Sequence, residues 1–310
     1  MKEYKNSMKT KDIKRILIIG AGTMGQQIAT QFALYDCDIV LYDIKQEFLD
    51  NAMKRIKKIA RTIAAYQGIS AEEADAAVNR ITTTTVPEEA AKDIDLISES
   101  VPEDPKLKGK VFAQFNALCP PKTIFTTNTS TLLPSMFAEA TGRPEKLVAL
   151  HFHDLRTSTI VDIMPHAGTS QETVDLVEAF AQRTGLNVIL MQKESYGYVF
   201  NFLLMSFFQQ AQTLASKGIA KPEDIDRAWM GVTKSPMGPF AMMDSVGLDT
   251  VWKVTDFWAN FNNDNGSKKN AEFLKQYVDR GELGQKSKRG FYTYPNPAYF
   301  QPDFVTKKTK

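Results

Sequence analysis

The chain has 310 residues, more than the roughly 250 to 300 at which a single hydrophobic core stops growing, so we expect two domains. Hydrophobic residues at 43% and charged residues at 24% are ordinary for a soluble globular protein, and they give no sign of disorder away from the ends. The net charge is only +2, whereas a nucleic-acid-binding protein needs a clustered basic surface, so no nucleic-acid partner is expected.

Compartment is indicated by the cysteines, the N-terminus and the apolar segments. Cys37 and Cys119 lie far apart without metal-ligand spacing, which favours a reducing compartment and predicts no metal site. The lysine-rich segment Met1 to Lys14 lacks the apolar core of a signal peptide and the arginine-rich pattern of a transit peptide, so we expect the cytoplasm. Residues 198–215 are apolar but are interrupted by Asn and Gln, which predicts a buried helix rather than a membrane span.

The first predicted elements are a strand, a tight turn and a helix. An apolar run, Arg15 to Ile19, ends in glycines, and Met24, Ile28 and Phe32 then recur at the spacing of a helix face. A second strand, residues 38–42, follows and ends in Asp43.

The turn between the first strand and helix is Gly20-Ala21-Gly22-Thr23-Met24-Gly25. Its glycines permit a sharp turn, a close approach of backbone N–H groups to a pyrophosphate, and close packing of helix on strand. Asp43 lies near the roughly 20-residue offset at which a carboxylate meets the adenosine ribose. The pattern predicts a dinucleotide site; the alternative is a structural glycine turn with an ordinary surface Asp.

Helix and strand patterns then alternate as far as about residue 191. We predict helices at about 46–66, 71–79, 105–118 and 171–184, and strands at 81–86, 94–98, 123–127, 146–150, 160–164 and 187–191. Strands that alternate with helices predict an α/β fold with a mostly parallel sheet.

After about Glu194 the strand pattern disappears. Helical patterns run from Tyr198, with breaks at 217–218, 234–239 and 262–266. We therefore predict a dinucleotide-binding domain at 1–194, with a flexible tail at 1–12, and an all-α domain at 195–310 that ends in a mobile lysine-rich tail.

One glycine and six polar residues lie at the predicted carboxyl ends of the parallel strands, where ligands bind to such sheets. They are Gly20, Asp43, Glu99, Glu103, Asn128, Ser130 and His151. This clustering predicts a site at one edge of the sheet.

A histidine near a dinucleotide site suggests hydride transfer, because oxidation of an alcohol needs an acceptor for its hydroxyl proton. The chain has three histidines. His151 is the candidate, but an alternating strand would turn His153 the same way, so His153 or no catalytic histidine remain alternatives. His166 follows a strand into a Pro/Gly loop, where a surface position is expected.

Three further residues are candidates for supporting roles. Asp162, inside an apolar strand, suits a carboxylate that orients the base, or it faces outward on a half-exposed strand. Ser130 and Asn201 suit hydrogen bonding to an oxygen that develops charge; the alternatives are a helix cap and a buried amide.

Eight short motifs follow one another along the chain: Gly20-Ala-Gly-Thr-Met-Gly25, Ser100-Val-Pro-Glu103, Asn128-Thr-Ser130, Leu150-His-Phe152, Gly168-Thr-Ser170, Gly197-Tyr-Val-Phe-Asn201, Pro236-Met-Gly-Pro239 and Gly290-Phe-Tyr. In this order, and from about residue 13 to 294, they resemble the NAD-dependent 3-hydroxyacyl-CoA dehydrogenases, including the 3-hydroxybutyryl-CoA dehydrogenases.

The resemblance implies a Rossmann-type NAD-binding domain, a helical domain that forms a homodimer, and an acyl-CoA substrate that meets NAD in the cleft between the domains. Carried over by position, the general base is His151. Ser130 and Asn201 are then the residues near the reacting oxygen, and those that help to hold NAD are Glu103, Lys108 and Asn128.

The chain also departs from the family pattern. The family usually has Phe-Phe-Asn-Pro after the histidine, where this chain has Phe152-His-Asp-Leu155, and its acid partner is a Glu one residue beyond Asp162. The Ser and Lys that contact CoA in the family fall near Ile59 and Tyr66, which cannot replace them. The candidate replacements are Lys58 and Arg61.

The main hypothesis is an oxidoreductase of fatty acid metabolism that interconverts 3-hydroxyacyl-CoA and 3-oxoacyl-CoA, and that uses NAD because Asp43 repels a 2′-phosphate. A second hypothesis is the same chemistry on a free 3-hydroxy acid or sugar acid. A third is a non-catalytic NAD-binding protein, for which the histidine-to-carboxylate distance would be too long for a hydrogen bond.

Overall fold

The computed structural model describes residues 9–306. They divide into two compact units, one up to Val199 and one from Phe200. The segment Ser195 to Val199, which the sequence assigns to the helical domain, therefore groups with the first unit. The expected tails at 1–8 and 307–310 lie outside the described residues, whereas Thr10–Asp12 form a 3-10 turn and Ile13 is fully buried.

An eight-stranded sheet forms the centre of the first unit, in the order β3-β2-β1-β4-β5-β6-β7-β8. Its strands are β1 Arg15–Ile19, β2 Asp38–Tyr42, β3 Ile81–Thr84, β4 Leu96–Glu99, β5 Ile124–Thr127, β6 Leu147–Phe152, β7 Ile160–Met164 and β8 Asn187–Leu190. All neighbours pair in parallel except β6 and β7, which are antiparallel. The strand order changes direction between β1 and β4. The crevice at the carboxyl ends of these two strands is the switch point at which ligands bind to such sheets.

Burial explains the composition of the strands. The central strands are covered on both faces, and every residue of β4, β5 and β6 is buried, including the polar residues at their carboxyl ends. The two outermost strands are more polar: Thr82 and Thr83 of β3 are exposed, and exposure alternates along β8.

Six helices cover the two faces of the sheet. They are α1 Thr23–Leu34, α2 Gln46–Gln67, α3 Ala71–Val78, α4 Pro87–Ala90, α5 Pro105–Leu118 and α6 Gln171–Arg183. Side chains cap three of them: Ser70 and Glu73 form a capping box on α3, Asp104 accepts hydrogen bonds from two N–H groups of α5, and Ser170 accepts one from the Thr173 N–H of α6. The N-termini of α1, α2 and α4 have no side-chain cap.

The second unit is helical. It contains α7 Phe200–Ser216, α8 Pro222–Thr233, α9 Pro239–Val246, α10 Leu248–Phe261 and α11 Asn265–Asp279. Between residues 200 and 306 the only β pairing is two isolated bridges around Arg289. A mostly parallel Rossmann-type sheet followed by helices confirms the predicted fold class. The expectation that α7 is buried is wrong, since Phe200, Phe202 and Leu203 are exposed in the described chain.

Two buried carboxylates hold the second unit together. Asp226 on α8 accepts hydrogen bonds from the N–H groups of Phe240 and Ala241 and from the Tyr292 hydroxyl, at 2.8, 2.9 and 2.9 Å. Asp244 on α9 accepts from the N–H groups of Phe291 and Tyr292, both at 3.0 Å. A Cβ at Gly290 would lie 2.1 Å from Asp244 Oδ1, which explains the glycine of the Gly290-Phe-Tyr motif.

Candidate active site

The glycine turn lies between β1 and α1, where the sequence predicts it. Gly20 has φ +103°, and a Cβ at Gly25 would lie 1.8 Å from the Gly20 carbonyl oxygen, so turn and helix packing both require glycine. A Cβ at Gly22 would meet nothing within 4 Å. This open space beside the N-terminus of α1 fits the pyrophosphate of a dinucleotide.

Asp43 follows β2, and its carboxylate is hydrogen-bonded to the glycine turn. Its Oδ2 accepts a hydrogen bond from the Ala21 N–H at 2.7 Å, and its Oδ1 accepts one from the Ile44 N–H at 2.7 Å. The carboxylate is thereby fixed beside the glycine turn, where it suits a ribose hydroxyl.

A buried ion pair lies at the carboxyl end of β4. Lys108 Nζ is 2.7 Å from Glu99 Oε1, 3.2 Å from the Val101 carbonyl oxygen and 3.3 Å from Glu103 Oε2. Burial raises the pKa of Glu99, and the positive charge of Lys108 opposes that shift. Three acceptors therefore surround the ammonium group, and Lys108 holds Glu103 in place.

Glu103 connects this ion pair to the loop after β5. Its Oε1 accepts hydrogen bonds from the Ser130 N–H at 2.7 Å and from the Thr129 and Ser130 hydroxyls at 2.9 and 3.2 Å. Asn128 in the same loop accepts a bond from the Phe152 N–H at 2.9 Å. Four of the predicted residues, Glu103, Lys108, Asn128 and Ser130, are therefore brought to one edge of the sheet.

His151 and Asp162 face each other across the antiparallel pair β6 and β7. His151 Nδ1 is 3.0 Å from Asp162 Oδ2, and the residues are only 4% and 1% exposed. Burial raises the pKa of Asp162, but the hydrogen bonds and charges of His151 and His153 outweigh it and lower that pKa to about 2. The Asp, one position earlier than the family's Glu, thus reaches the histidine, and the distance predicted for a non-catalytic protein is wrong.

The other histidines take different places. His153 Nε2 lies 3.4 Å from Asp162 Oδ2, and the His153 ring meets the His151 ring edge-on at 4.8 Å. The ligand atoms of His151, His153 and Asp162 lie within 4.8 Å of one another, a grouping that also suits a metal ion. His166 is 8% exposed and receives a hydrogen bond from the Gly168 N–H, so the expected surface position is wrong.

Tyr198 is a further residue of the site, and no role for it was predicted from the sequence. Its ring stacks on the His151 ring with centroids 4.4 Å apart and an interplanar angle of 27°. The sequence signal was its place inside the motif from Gly197 to Asn201, because a residue of this size at φ +53° cannot be foreseen from periodicity. Asn201 is the second residue of α7 in the other unit, and its contact with the reacting oxygen stays a prediction.

Basic side chains line a groove on α2. The lining residues are Lys54, Lys57, Lys58, Arg61, Thr62 and Ala65. Arg61 makes a bidentate ion pair with Asp75, at 2.9 and 2.7 Å, so its positive charge already has a partner.

None of the helices in residues 9–306 has the length and apolar character that a membrane span requires.

Comparison with known proteins gives two family matches. The model described as "3-hydroxyacyl-CoA dehydrogenase, NAD binding domain" matches residues 15–195, and that described as "3-hydroxyacyl-CoA dehydrogenase, C-terminal domain" matches residues 197–294. A probable 3-hydroxybutyryl-CoA dehydrogenase of Bacillus subtilis (strain 168) is 32% identical over 91% of this chain and 98% of its own length.

Solved structures agree with these matches. A structure described as "Substrate-directed dual catalysis of dicarbonyl compounds by diketoreductase" has a TM-score of 0.84 and 36% identity over 91% of this chain and 99% of its own. The (S)-3-hydroxybutyryl-CoA dehydrogenase of Ralstonia eutropha has a TM-score of 0.82 and 27% identity over 92% of this chain and 100% of its own.

Proposed function

Because this chain belongs to the 3-hydroxyacyl-CoA dehydrogenase family and is an NAD-dependent dehydrogenase, we propose that it interconverts a 3-hydroxyacyl-CoA and the corresponding 3-oxoacyl-CoA, with His151 as general base. The observation that carries the proposal is the buried hydrogen bond of 3.0 Å between His151 Nδ1 and Asp162 Oδ2. It lies on the sheet edge that also carries the glycine turn and Glu103.

Asp162 determines which nitrogen of His151 is basic. An ionised carboxylate only accepts hydrogen bonds, so Nδ1 carries the proton and Nε2 keeps its lone pair for the substrate hydroxyl proton. As that proton arrives, the negative charge of Asp162 stabilises the imidazolium. Ser130 and Asn201 hold the substrate oxygen in this proposal. The chemistry that bound NAD supplies is acceptance of the hydride from the carbon that carries the hydroxyl.

The proposed NAD site is the glycine turn together with four charged or polar residues. Its residues are Gly20, Ala21, Gly22, Thr23, Met24, Gly25, Asp43, Glu103, Lys108 and Asn128. The backbone N–H groups of the turn receive the pyrophosphate, and the carboxylate of Asp43 receives the ribose hydroxyls and repels a 2′-phosphate.

The CoA part of the proposal is supported by the basic groove on α2. Among the described residues Lys54 and Lys58 make no ion pair, so their ammonium groups are available to phosphates. Arg61, by contrast, is already paired with Asp75. We expect a triple variant, Lys54→Ala with Lys57→Ala and Lys58→Ala, to raise KM for acetoacetyl-CoA about tenfold with little change in kcat. The control is Lys217→Ala, an exposed lysine outside the groove.

The second candidate is the same reaction on a small molecule without CoA, which the likeness to the diketoreductase favours. Side-by-side kinetics of acetoacetyl-CoA, acetoacetate and a neutral dicarbonyl compound with NADH separate the two. The CoA proposal requires kcat/KM to be highest for the thioester. Equal or higher values for either free compound would replace it by the second candidate.

We also propose that the second unit forms a homodimer through the exposed apolar side chains of α7, Phe200, Phe202 and Leu203. Light scattering on the wild type is expected to give twice the chain mass, and Phe202→Asp is expected to reduce it to one chain. A role in fatty acid metabolism and a cytoplasmic location complete the proposal; the two free, buried cysteines agree with a reducing compartment.

A further inference from the structure

Tyr198 combines three features that packing alone does not explain. It is 2% exposed, its backbone adopts φ +53°, and its hydroxyl has no hydrogen-bond partner within residues 9–306. Burying a hydroxyl without a partner costs stability, and a left-handed backbone is unfavourable for a bulky side chain. A phenylalanine would give the same ring contact without the buried hydroxyl.

The ring and the hydroxyl of Tyr198 have different surroundings. The ring packs with Ala149 and Met164 and stacks on His151 at 4.4 Å. Burial raises the pKa of the hydroxyl, and so do the nearby carboxylates of Glu103 and Asp162. The hydroxyl therefore stays protonated and can only be useful as a neutral donor or acceptor.

The carboxylates around the hydroxyl are already satisfied by other donors. Glu103 accepts from the loop after β5 and faces Lys108, and Asp162 accepts from His151. Glu194 accepts from the Ser135 N–H at 2.8 Å. The unused donor thus lies beside the proposed base and the Glu103 network, where a bound ligand would supply the missing acceptor.

We propose that Tyr198 is a ligand-contacting residue of this active site: its hydroxyl donates a hydrogen bond to a carbonyl oxygen of a bound ligand, while its ring holds the His151 imidazole in place. This inference rests on the proposed function. Two bound molecules carry such an oxygen, the 3-oxo substrate and the nicotinamide carboxamide of the cofactor. Their shared chemistry is a neutral carbonyl acceptor.

The test is Tyr198→Phe, which removes only the hydroxyl. We expect the melting temperature of the ligand-free variant to be unchanged or higher, since an unpartnered group is lost. The matched control is Tyr292→Phe, which removes a hydroxyl bonded to Asp226 at 2.9 Å and should lower the melting temperature. A purely structural role for Tyr198 would make both variants less stable.

Ligand binding identifies the acceptor. A loss of about tenfold in NADH affinity, measured by fluorescence titration, assigns the bond to the nicotinamide carbonyl. A similar loss in kcat/KM with unchanged NADH affinity assigns it to the substrate. The substrate used is whichever of acetoacetyl-CoA and acetoacetate the wild type reduces faster, so wild-type turnover tests the proposed function and the variant ratio tests Tyr198. If both quantities stay within about twofold of wild type, the hydroxyl binds only water and the inference is overturned.

Discussion

Two buried aspartates, Asp162 in the first unit and Asp226 in the second, have opposite electrostatic surroundings. Asp162 in the first unit is 1% exposed, and Asp226 in the second is fully buried. Burial raises the pKa of both, but the imidazoles of His151 and His153 lower that of Asp162 to about 2. Asp226 has only neutral donors, so burial prevails and its pKa rises to about 6. A titratable partner makes a buried acid fit for proton chemistry, whereas neutral donors make it part of the scaffold.

Removing the negative charge of Asp162 should have the largest effect, and that effect is on turnover. We expect Asp162→Asn to lower kcat by about 10³-fold, because an amide neither stabilises the imidazolium nor enforces the proton on Nδ1. Asp162→Glu, which keeps a carboxylate on a longer side chain, is the matched control and should keep more activity. Initial rates of NADH formation measure both; an Asn variant within tenfold of wild type would contradict the assigned role.

The second effect is on stability. We expect Asp226→Asn to lower the free energy of unfolding by about 2 to 4 kcal/mol, because its NH₂ group faces backbone N–H donors that need an acceptor. The control is Asp279→Asn, whose side chain is 60% exposed and whose ion pair with Lys275 is worth less than about 1 kcal/mol. Urea unfolding measures both. Equal losses would show that the buried bonds of Asp226 do not stabilise the unit.

The smallest effect is the pH dependence of that stability. The native pKa of Asp226 is raised from 3.8 to about 6, so the native state holds its proton more tightly than the unfolded chain does. Its contribution is therefore present below pH 3.8 and is lost as the pH rises towards about 6, at no more than about 1.4 kcal/mol per pH unit. For Asp162 the sign is reversed, and stability is lost only as the pH falls from 3.8 towards about 2.

Comparison of wild type with Asp226→Asn isolates this contribution. The variant has no carboxyl group at position 226, so its stability should change less between about pH 4 and 6, and the gap to wild type should narrow as the pH rises. Unfolding experiments across that range measure the gap. A gap that widens with pH would contradict the raised pKa.

Much of the first unit was predictable because periodicity and glycine spacing report on local structure. The glycine turn, the strands and the meeting of His151 with Asp162 depend on chain order, on alternation and on which strands pair. The antiparallel register that brings Asp162 opposite His151 is a tertiary fact, however, and sequence spacing gave it only as one of two alternatives.

The failures have a common cause, which is that partners distant in sequence decide the environment. His166 is buried, and its Nε2 lies 2.9 Å from the carbonyl oxygen of Pro144, which is 22 residues away in the chain. The apolar run of α7 could not reveal that one of its faces is left exposed. Tyr198 depends on a backbone conformation that its residue type disfavours, so no propensity rule identifies it.

In the proposed reaction His151 accepts the hydroxyl proton during an NAD-dependent oxidation. The most direct measurement is the rate of NADH formation from NAD and 3-hydroxybutyryl-CoA by His151→Gln, which keeps a polar group next to Asp162, with NAD affinity measured on the same sample. We predict a loss of about 10³- to 10⁴-fold in kcat with NAD affinity unchanged. Turnover near the wild-type rate would contradict the account.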